Sequence, residues 1–232
     1  MRSPLILGLL MGLAPSLPCA PAPPALVLTL EAPVQWRHGG PWHDVELGQL
    51  FGPGDELRCG DGGTLLLSLD AGVSLALEPG AQLRLHGGAA GGRLALELAQ
   101  GRVDLLGGQR DDGAGVTLRT PNAQVELLGP DAEVYAAGPQ ETQVTVSEGR
   151  ALLGDLGGKR RELVEALQRR RLTQGRLLAA EPLAKREIFP LADRWGRMRQ
   201  FHGQRQALRR ALLASKDHAP FVRALQRRQA AP

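Results

Sequence analysis

Between Asp44 and Gly154, apolar and polar residues alternate through a succession of short segments punctuated by glycine. The apolar sets are Leu65, Leu67, Leu69; Val73, Leu75, Leu77; Leu83, Leu85; Leu94, Leu96, Leu98; Val103, Leu105; Val116, Leu118; Val125, Leu127; and Val144, Val146. A spacing of two puts each set on one face of an extended strand. Between the sets lie Gly62-Gly63, Ala71-Gly72, Pro79-Gly80, Gly87-Gly88, Gly91-Gly92, Gly107-Gly108, Gly129-Pro130 and Glu148-Gly149, pairs that permit positive φ or preset a turn. Strands about five residues long, turning roughly every 8–12 residues, specify a sandwich, a barrel or a β-solenoid. Leucine is a mediocre strand former, so alternation and turn chemistry carry this reading.

Composition bounds the core. A hydrophobic share of 43% is enough for a packed interior, and an aromatic share of 3% means that leucine and valine fill it. Few aromatic side chains also means few stacking platforms for sugars or bases. The length of 232 residues allows one medium domain with an appendage, or two small domains.

Residues 1–25 read as a secretory signal. Arg2 is the positive end, Leu5 to Leu13 the apolar stretch, and Pro15 to Ala25 a proline- and alanine-rich exit region. Nine apolar residues fall well short of the roughly 20 that span a bilayer. Cleavage after Ala20, Ala22 or Ala25 meets a proline at a disfavoured neighbouring position each time. Cys19 offers lipid anchoring as an alternative, but the preceding Ser16-Leu17-Pro18 departs from the lipoprotein pattern. Cys59 is the one other cysteine, which excludes a disulfide framework. Since no second long apolar segment follows, the expectation is an exported chain, periplasmic or extracellular.

Charge is unevenly distributed. Residues 26–158 hold 8 Lys/Arg against 18 Asp/Glu, a net of −10, whereas residues 159–232 hold 19 against 6, a net of +13. An acidic body is thus followed by a basic, arginine-dominated end, suited to bidentate contact with carboxylates or phosphates. The period changes there too. Leu191, Trp195, Met198, Phe201, Leu208 and Leu212 recur mostly at three- and four-residue steps, predicting an amphipathic helix weakened by Gly196 and Gly203. A second short helix is expected around Phe221, Val222 and Leu225, with Pro220 in its first turn. Between body and tail, Arg161 to Leu178 is ambiguous: Leu163 and Leu167 suit a helix, while Arg171-Leu172-Thr173 before Gly175 suits a last strand and turn. The expected organisation is a signal segment over 1–25, a β domain over 26–158, a linker, last strand or helix over 159–190, and a basic amphipathic tail over 191–232.

The turn residues, taken in order, resemble the FecR domain family of bacterial envelope proteins. They are Gly54-Asp55 after an apolar strand, Asp70 to Gly72, Gly101-Arg102-Val103, Thr120-Pro121-Asn122-Ala123, Gly129 and Glu148-Gly149, with the segment Trp42 to Leu50 fitting the domain's start. The resemblance covers about residues 31–155. Two turns depart from it: Gly129-Pro130 stands where the family has Gly-Thr, and Asp70-Ala71-Gly72 replaces an Asp-Gly-Ser turn. The resemblance implies an all-β domain, sandwich or solenoid-like, here with a helical C-terminal extension. Its best-known members join a cytoplasmic sigma-factor-binding segment through one membrane helix to a periplasmic domain that receives a signal from a TonB-dependent receptor. This chain shows neither the cytoplasmic segment nor the helix, so it is more similar to exported stand-alone members, whose expected role is non-catalytic binding.

Catalytic motifs are missing from the sequence: there is no G-x-S-x-G elbow, no P-loop and no dinucleotide G-x-G-x-x-G. His38 and His43 flank Gly39-Gly40 near Trp36 and Trp42, and read as a surface hairpin tip rather than a metal site, since no third ligand is near. Asp111-Asp112 lacks the alternating acidic spacing of a calcium loop and reads as a solvated turn. Cys59 reads as a small residue, half-buried at a strand end, rather than a reactive thiol. No enzyme activity, metal or cofactor is expected. Gly54, Asp55, Gly72, Gly101, Pro121, Gly129 and Gly149 are the expected turn formers; Trp195, Arg197, Phe201, Arg209 and Arg210 are the expected partner contacts. The tail has three available roles: packing on its own β domain, binding an envelope protein, or contacting anionic lipid or another polyanion; nucleic acid is not an expected partner.

Overall fold

The structure, a computed structural model, describes residues 25–69, 73–86, 94–107, 116–193 and 196. In chain order the described strands are β1 (Ala25–Glu31), β2 (Val34–Arg37), β3 (His43–Asp44), β4 (Leu50–Phe51), β5 (Glu56–Cys59), β6 (Thr64–Ser68), β7 (Ser74–Leu77), β8 (Gln82–Leu85) and β9 (Leu94–Leu106). They continue as β10 (Val116–Arg119), β11 (Ala123–Leu127), β12 (Asp131–Gly138), β13 (Glu141–Glu148), β14 (Arg150–Asp155), β15 (Arg161–Glu165), β16 (Gln168–Thr173), β17 (Arg176–Leu177) and β18 (Glu181–Pro182). A helix, α1, covers 185–193. The fold is all-β with a small helical extension.

The strands form two sheets. The front sheet runs β4-β1-β6-β7-β9-β12-β13-β16, with β17 and β18 both beyond β16. The back sheet runs β3-β2-β5-β8-β9-β10-β11-β14-β15. Among the described pairings, only β9 with β10 is parallel. Strand β9 belongs to both sheets. Its first half pairs with β8 and β10 and its second half with β7 and β12, so the chain crosses from one layer to the other within one strand.

Gly101 makes that crossing sterically feasible. Its φ is +87°, and a Cβ there would lie 2.7 Å from the Ala81 Cβ, closer than any side chain tolerates. The register with β8 also shifts here: Gln82 faces Gln100 but Leu83 faces Leu98, so β9 carries the extra residue. A bend with a register shift is how a strand changes sheet without losing its ladder on either side.

One core fills the space between the layers. Of the residues that the alternation places on a common face, Leu65, Leu67, Leu69, Val73, Leu75, Leu77, Leu83, Leu85, Leu96, Leu98, Val103, Leu105, Val116, Leu118, Val125, Leu127, Val144 and Val146 are all buried in it. The Leu94 side chain lies outside the described residues. Full burial of each such aliphatic side chain is worth roughly 1.5–3 kcal/mol, an upper estimate for a chain already compact when unfolded.

The segment 159–190, in which the sequence leaves strand and helix open, takes both forms in turn. β15 adds to the back sheet at β14 and β16 to the front sheet at β13, so the pairing continues past Gly158; the helix follows at 185. Arg169, Arg170 and Arg171 lie in β16, and each meets a carboxylate: Glu187 at 2.6 Å, Glu162 at 3.0 Å and Glu181 at 3.0 Å. Arg170 and Glu162 join the two sheets where the sandwich ends. Upstream, β1 and β2 precede the alternating run, and β1 places Val27 in the core.

Candidate interaction surfaces

The two outer faces of the sandwich are chemically unlike. On the front sheet one cross-strand row passes Leu66, Ala76, Asp104, Glu133 and Thr145, and ends at Arg169. A neighbouring row passes Leu26, Ser68, Ser74, Leu106 and Asp131. These side chains alternate with core residues and so point away from the core. They are nevertheless buried: Leu66 at 6%, Asp104 at 0%, Glu133 at 6%, Leu106 at 2% and Asp131 at 1% exposure. Leu26, Leu28, Leu66 and Leu106 form a second apolar cluster, against which Leu50, Ala76 and Leu191 pack.

Leu191 comes from α1, whose start is secured by local chemistry. Glu187 accepts the Ala184 backbone N–H at 2.9 Å, as the third helical residue does in a capping box. Leu183 and Ile188 stand at the positions of a hydrophobic staple and line one groove of about 250 Å³ with Leu191, Leu167 and Glu148. Arg169 on β16 donates to the other Glu187 oxygen at 2.6 Å. The Ala184 N–H and the Arg169 guanidinium together hold the Glu187 carboxyl below its usual range. Helix α1 thus starts over β16 and by Leu191 reaches leucines of β9, β6 and β1.

The back sheet's outer face is a charged ladder. Glu56 lies between Arg37 at 2.5 Å and Arg84 at 2.6 Å, His86 meets Glu97 at 2.9 Å, and Arg161 meets Glu126 at 2.8 Å. At its end, the half-buried Trp42 ring carries the guanidinium groups of Arg37 and Arg58 at 4.6 and 4.2 Å from its centroid. Partly exposed cross-strand pairs of this kind add little stability each, and their face remains open to solvent.

Of the expected turn formers, Gly54, Asp55, Pro121, Gly129 and Gly149 fall at strand junctions, whereas Gly101 lies inside β9, where it bends the strand instead of ending it. Gly54 and Asp55 precede β5, where Asp55 accepts the Gly52 N–H at 2.7 Å and bonds His38 Nδ1 at 2.8 Å. Gly129 and Gly149 bring the β11–β12 and β13–β14 turns together, and a Cβ on either would sit 2.6 Å from the other's Cα. Pro121 is exposed in the β10–β11 turn, which its neighbours lock to the front sheet. Thr120 Oγ1 and Thr142 Oγ1 are 2.6 Å apart, Thr142 donates to Asn122 Oδ1 at 2.6 Å, and Asn122 donates to the Leu172 carbonyl at 3.2 Å. Gly72 lies outside the described residues, as do Asp111, Asp112 and the expected partner contacts Trp195, Arg197, Phe201, Arg209 and Arg210.

Cys59 is buried at the end of β5, deeper than the half-buried position expected of it. Burial, and secondarily the Glu78 charge, push its thiol up to about 12, so it stays protonated and donates weakly to the Leu77 carbonyl at 3.6 Å. His43 packs its ring 5.8 Å from that of Trp36. Among the described residues no three His, Cys, Asp or Glu side chains converge as a metal site would require.

Sequence reasoning missed the covered front face. Its signal is present in the unbroken apolar runs Leu65-Leu66-Leu67 and Leu26-Val27-Leu28 and in the pair Leu105-Leu106, where strict alternation fails because both faces are buried.

Residues 55–152 match the family model described as FecR protein. Two crystal structures of a candidate anti-sigma factor from Parabacteroides distasonis ATCC 8503, at 1.65 and 2.50 Å resolution, align at 18% identity with a TM-score of 0.49. Each alignment covers 58% of this chain and 62% of the other, so this chain spans under two thirds of their length. No curated protein matches the chain. From the Gly54-Asp55 turn to the closely approached Gly129 and Gly149, the segment that carries the sandwich's central strands is a domain of the FecR family.

Proposed function

We propose that this chain is a non-catalytic recognition module of the bacterial envelope, working through protein–protein contacts in a FecR-type signalling or regulatory setting. The observation that carries this reading is the FecR match over residues 55–152, which includes β9, the strand shared by both sheets. Family members are envelope-associated regulators, and no helix among the described residues is long and apolar enough to cross a membrane. The chemistry supports binding over catalysis. The Cys59 thiol is held protonated, Asp55 is spent on a turn, and Thr120, Asn122 and Thr142 satisfy one another.

The proposed partner contacts are Trp195, Arg197, Phe201, Arg209 and Arg210, which combine apolar anchors with guanidinium groups. Affinity capture from envelope extracts by the full chain tests this. A single enriched protein, lost when Trp195→Ala and Phe201→Ala are combined, is the expected result. A second reading is favoured by one observation: residues 194–232 carry nine arginines and one lysine against one aspartate. It holds that the tail contacts anionic lipid or another polyanion at the membrane surface. Co-sedimentation with anionic vesicles at moderate salt, with no protein captured, would select it over the first.

A further inference from the structure

We infer that the back sheet takes an additional strand beside β15, and that its occupant is an extended segment of a partner protein, basic at one end and acidic at the other. The inference goes beyond the tail contacts proposed above and does not depend on them.

The two layers of the sandwich stop at different points. Among the described residues the back sheet ends at β15, whereas the front sheet continues past β16 to β17 and β18. β15 lies across the core from β16, joined to it by the short turn 166–167 and by Arg170 on Glu162 at 3.0 Å. The position beside β15 therefore has a floor. Leu177 and Pro182 pair with Leu172 and Gln168 and so face inward there; Leu177 is half-buried against the core and Pro182 is exposed. With sheets packed about 10 Å apart, a strand added to the back sheet lies over these two residues.

Backbone register supplies the bonding groups. Asp155 N–H bonds the Arg160 carbonyl at 3.1 Å, so in the β14–β15 ladder Glu162 and Val164 turn their amide groups to β14. Arg161, Leu163 and Glu165 turn theirs to the open edge. The Gln168 side chain accepts the Glu165 N–H at 3.3 Å, which makes Leu163 and Arg161 the donors presented to a neighbour. Such an edge is a template for pairing, and β15 carries neither the proline nor the lysine that would blunt it. Its inward-pointing charge, Glu162, is neutralised by Arg170.

Charge and space then select the occupant. The outward side chains along the edge are Arg161, Leu163 and Glu165, and Arg161 stays exposed although it meets Glu126 at 2.8 Å. An antiparallel neighbour matches them with a basic residue opposite Glu165 and an acidic one opposite Arg161, and with apolar residues at the alternate positions over Leu177 and Pro182. A second copy offering its own β15 has this charge pattern but not the space. Its front sheet would come down where β17 and β18 of the first copy already lie. An extended segment brings no second layer and fits.

Fluorescence anisotropy on the full chain tests the inference with two labelled peptides of identical composition, Ser-Lys-Val-Thr-Val-Glu-Ser and its charge-swapped form Ser-Glu-Val-Thr-Val-Lys-Ser. The first should bind about tenfold more tightly and should slow amide exchange over 161–165. Leu163→Pro removes an N–H that β14 does not use and should weaken binding at least about tenfold, whereas Leu163→Thr, which keeps that N–H, should bind nearly as the wild type does. In Arg161→Glu/Glu165→Lys the preference between the peptides should invert, a result that misfolding cannot produce. Equal binding of both peptides by the wild type, or of neither, would overturn the inference. So would slow exchange over 161–165 in the chain alone: protection that grows with protein concentration would assign the edge to a second copy, and protection independent of concentration to this chain's own residues. No envelope protein is present in these measurements, so their failure would leave the proposed tail contacts untouched.

Discussion

The two outer faces of this sandwich are built from the same kind of strand but answer water differently. On the back face, long charged side chains pair across strands and the guanidinium groups remain partly exposed, as with Arg37 and Arg84 on either side of the buried Glu56. On the front face, leucines and serines are buried together with the carboxylates of Asp104, Asp131 and Glu133. A solvated sheet face needs side chains long enough to keep their charges in water; a covered one needs them short enough to admit a neighbour. The difference separates a face shaped to be covered from one shaped to stay wet.

The largest effect is expected where the two faces share a strand. Gly101→Val puts a branched side chain at φ +87° against Ala81 and should abolish folding or cost about 4 kcal/mol, read by urea denaturation. Gly62→Ala makes the control: its φ is +76° but nothing lies within 4 Å of its Cβ, so only the backbone term of about 1 kcal/mol applies.

Next comes a direct contrast of the faces with one substituent. Leu106→Lys buries an ammonium on the front face and should destabilise by about 3 kcal/mol, whereas Thr117→Lys, on the back face across from Glu126, should stay within about 0.5 kcal/mol. Equal costs would remove the distinction between the faces.

The smallest effect lies inside, where neither face matters. Cys59 should resist iodoacetamide at pH 8 in the folded chain and react on unfolding. Because the folded chain holds this proton more tightly than the unfolded one, its contribution is complete below the ordinary value of 9.0 and is lost as pH rises towards about 12. Alkylation of the native thiol at pH 8 would contradict its burial.

Much of the fold is legible in the sequence because period two is local. Leu65, Leu67 and Leu69, or Val144 and Val146, need no knowledge of their partners to declare one face, and the glycine pairs mark where strands stop. Pairing is different. Nothing near Leu94 or Leu106 announces that one strand serves two sheets, since the reason is a close approach to Ala81, distant in sequence. Strand β16 was hard to read because Arg170 points inward at the open end of the sandwich and there replaces an apolar residue, neutralised by Glu162. The interaction surface was legible only as charge imbalance. An excess of arginine in one segment and of carboxylates in another can be counted along the chain, but that Asp104 and Glu133 stand side by side on one buried face depends on the registers of β9 and β12.

Carbodiimide footprinting of carboxylates in the full chain tests the central claim most directly, because it compares both faces in a single sample. Asp104, Asp131 and Glu133 on the front should be modified about tenfold more slowly than Glu97, whose side chain is 42% exposed on the back. Equal rates on the two faces would contradict a covered front sheet, and with it the account of how this chain divides its surfaces.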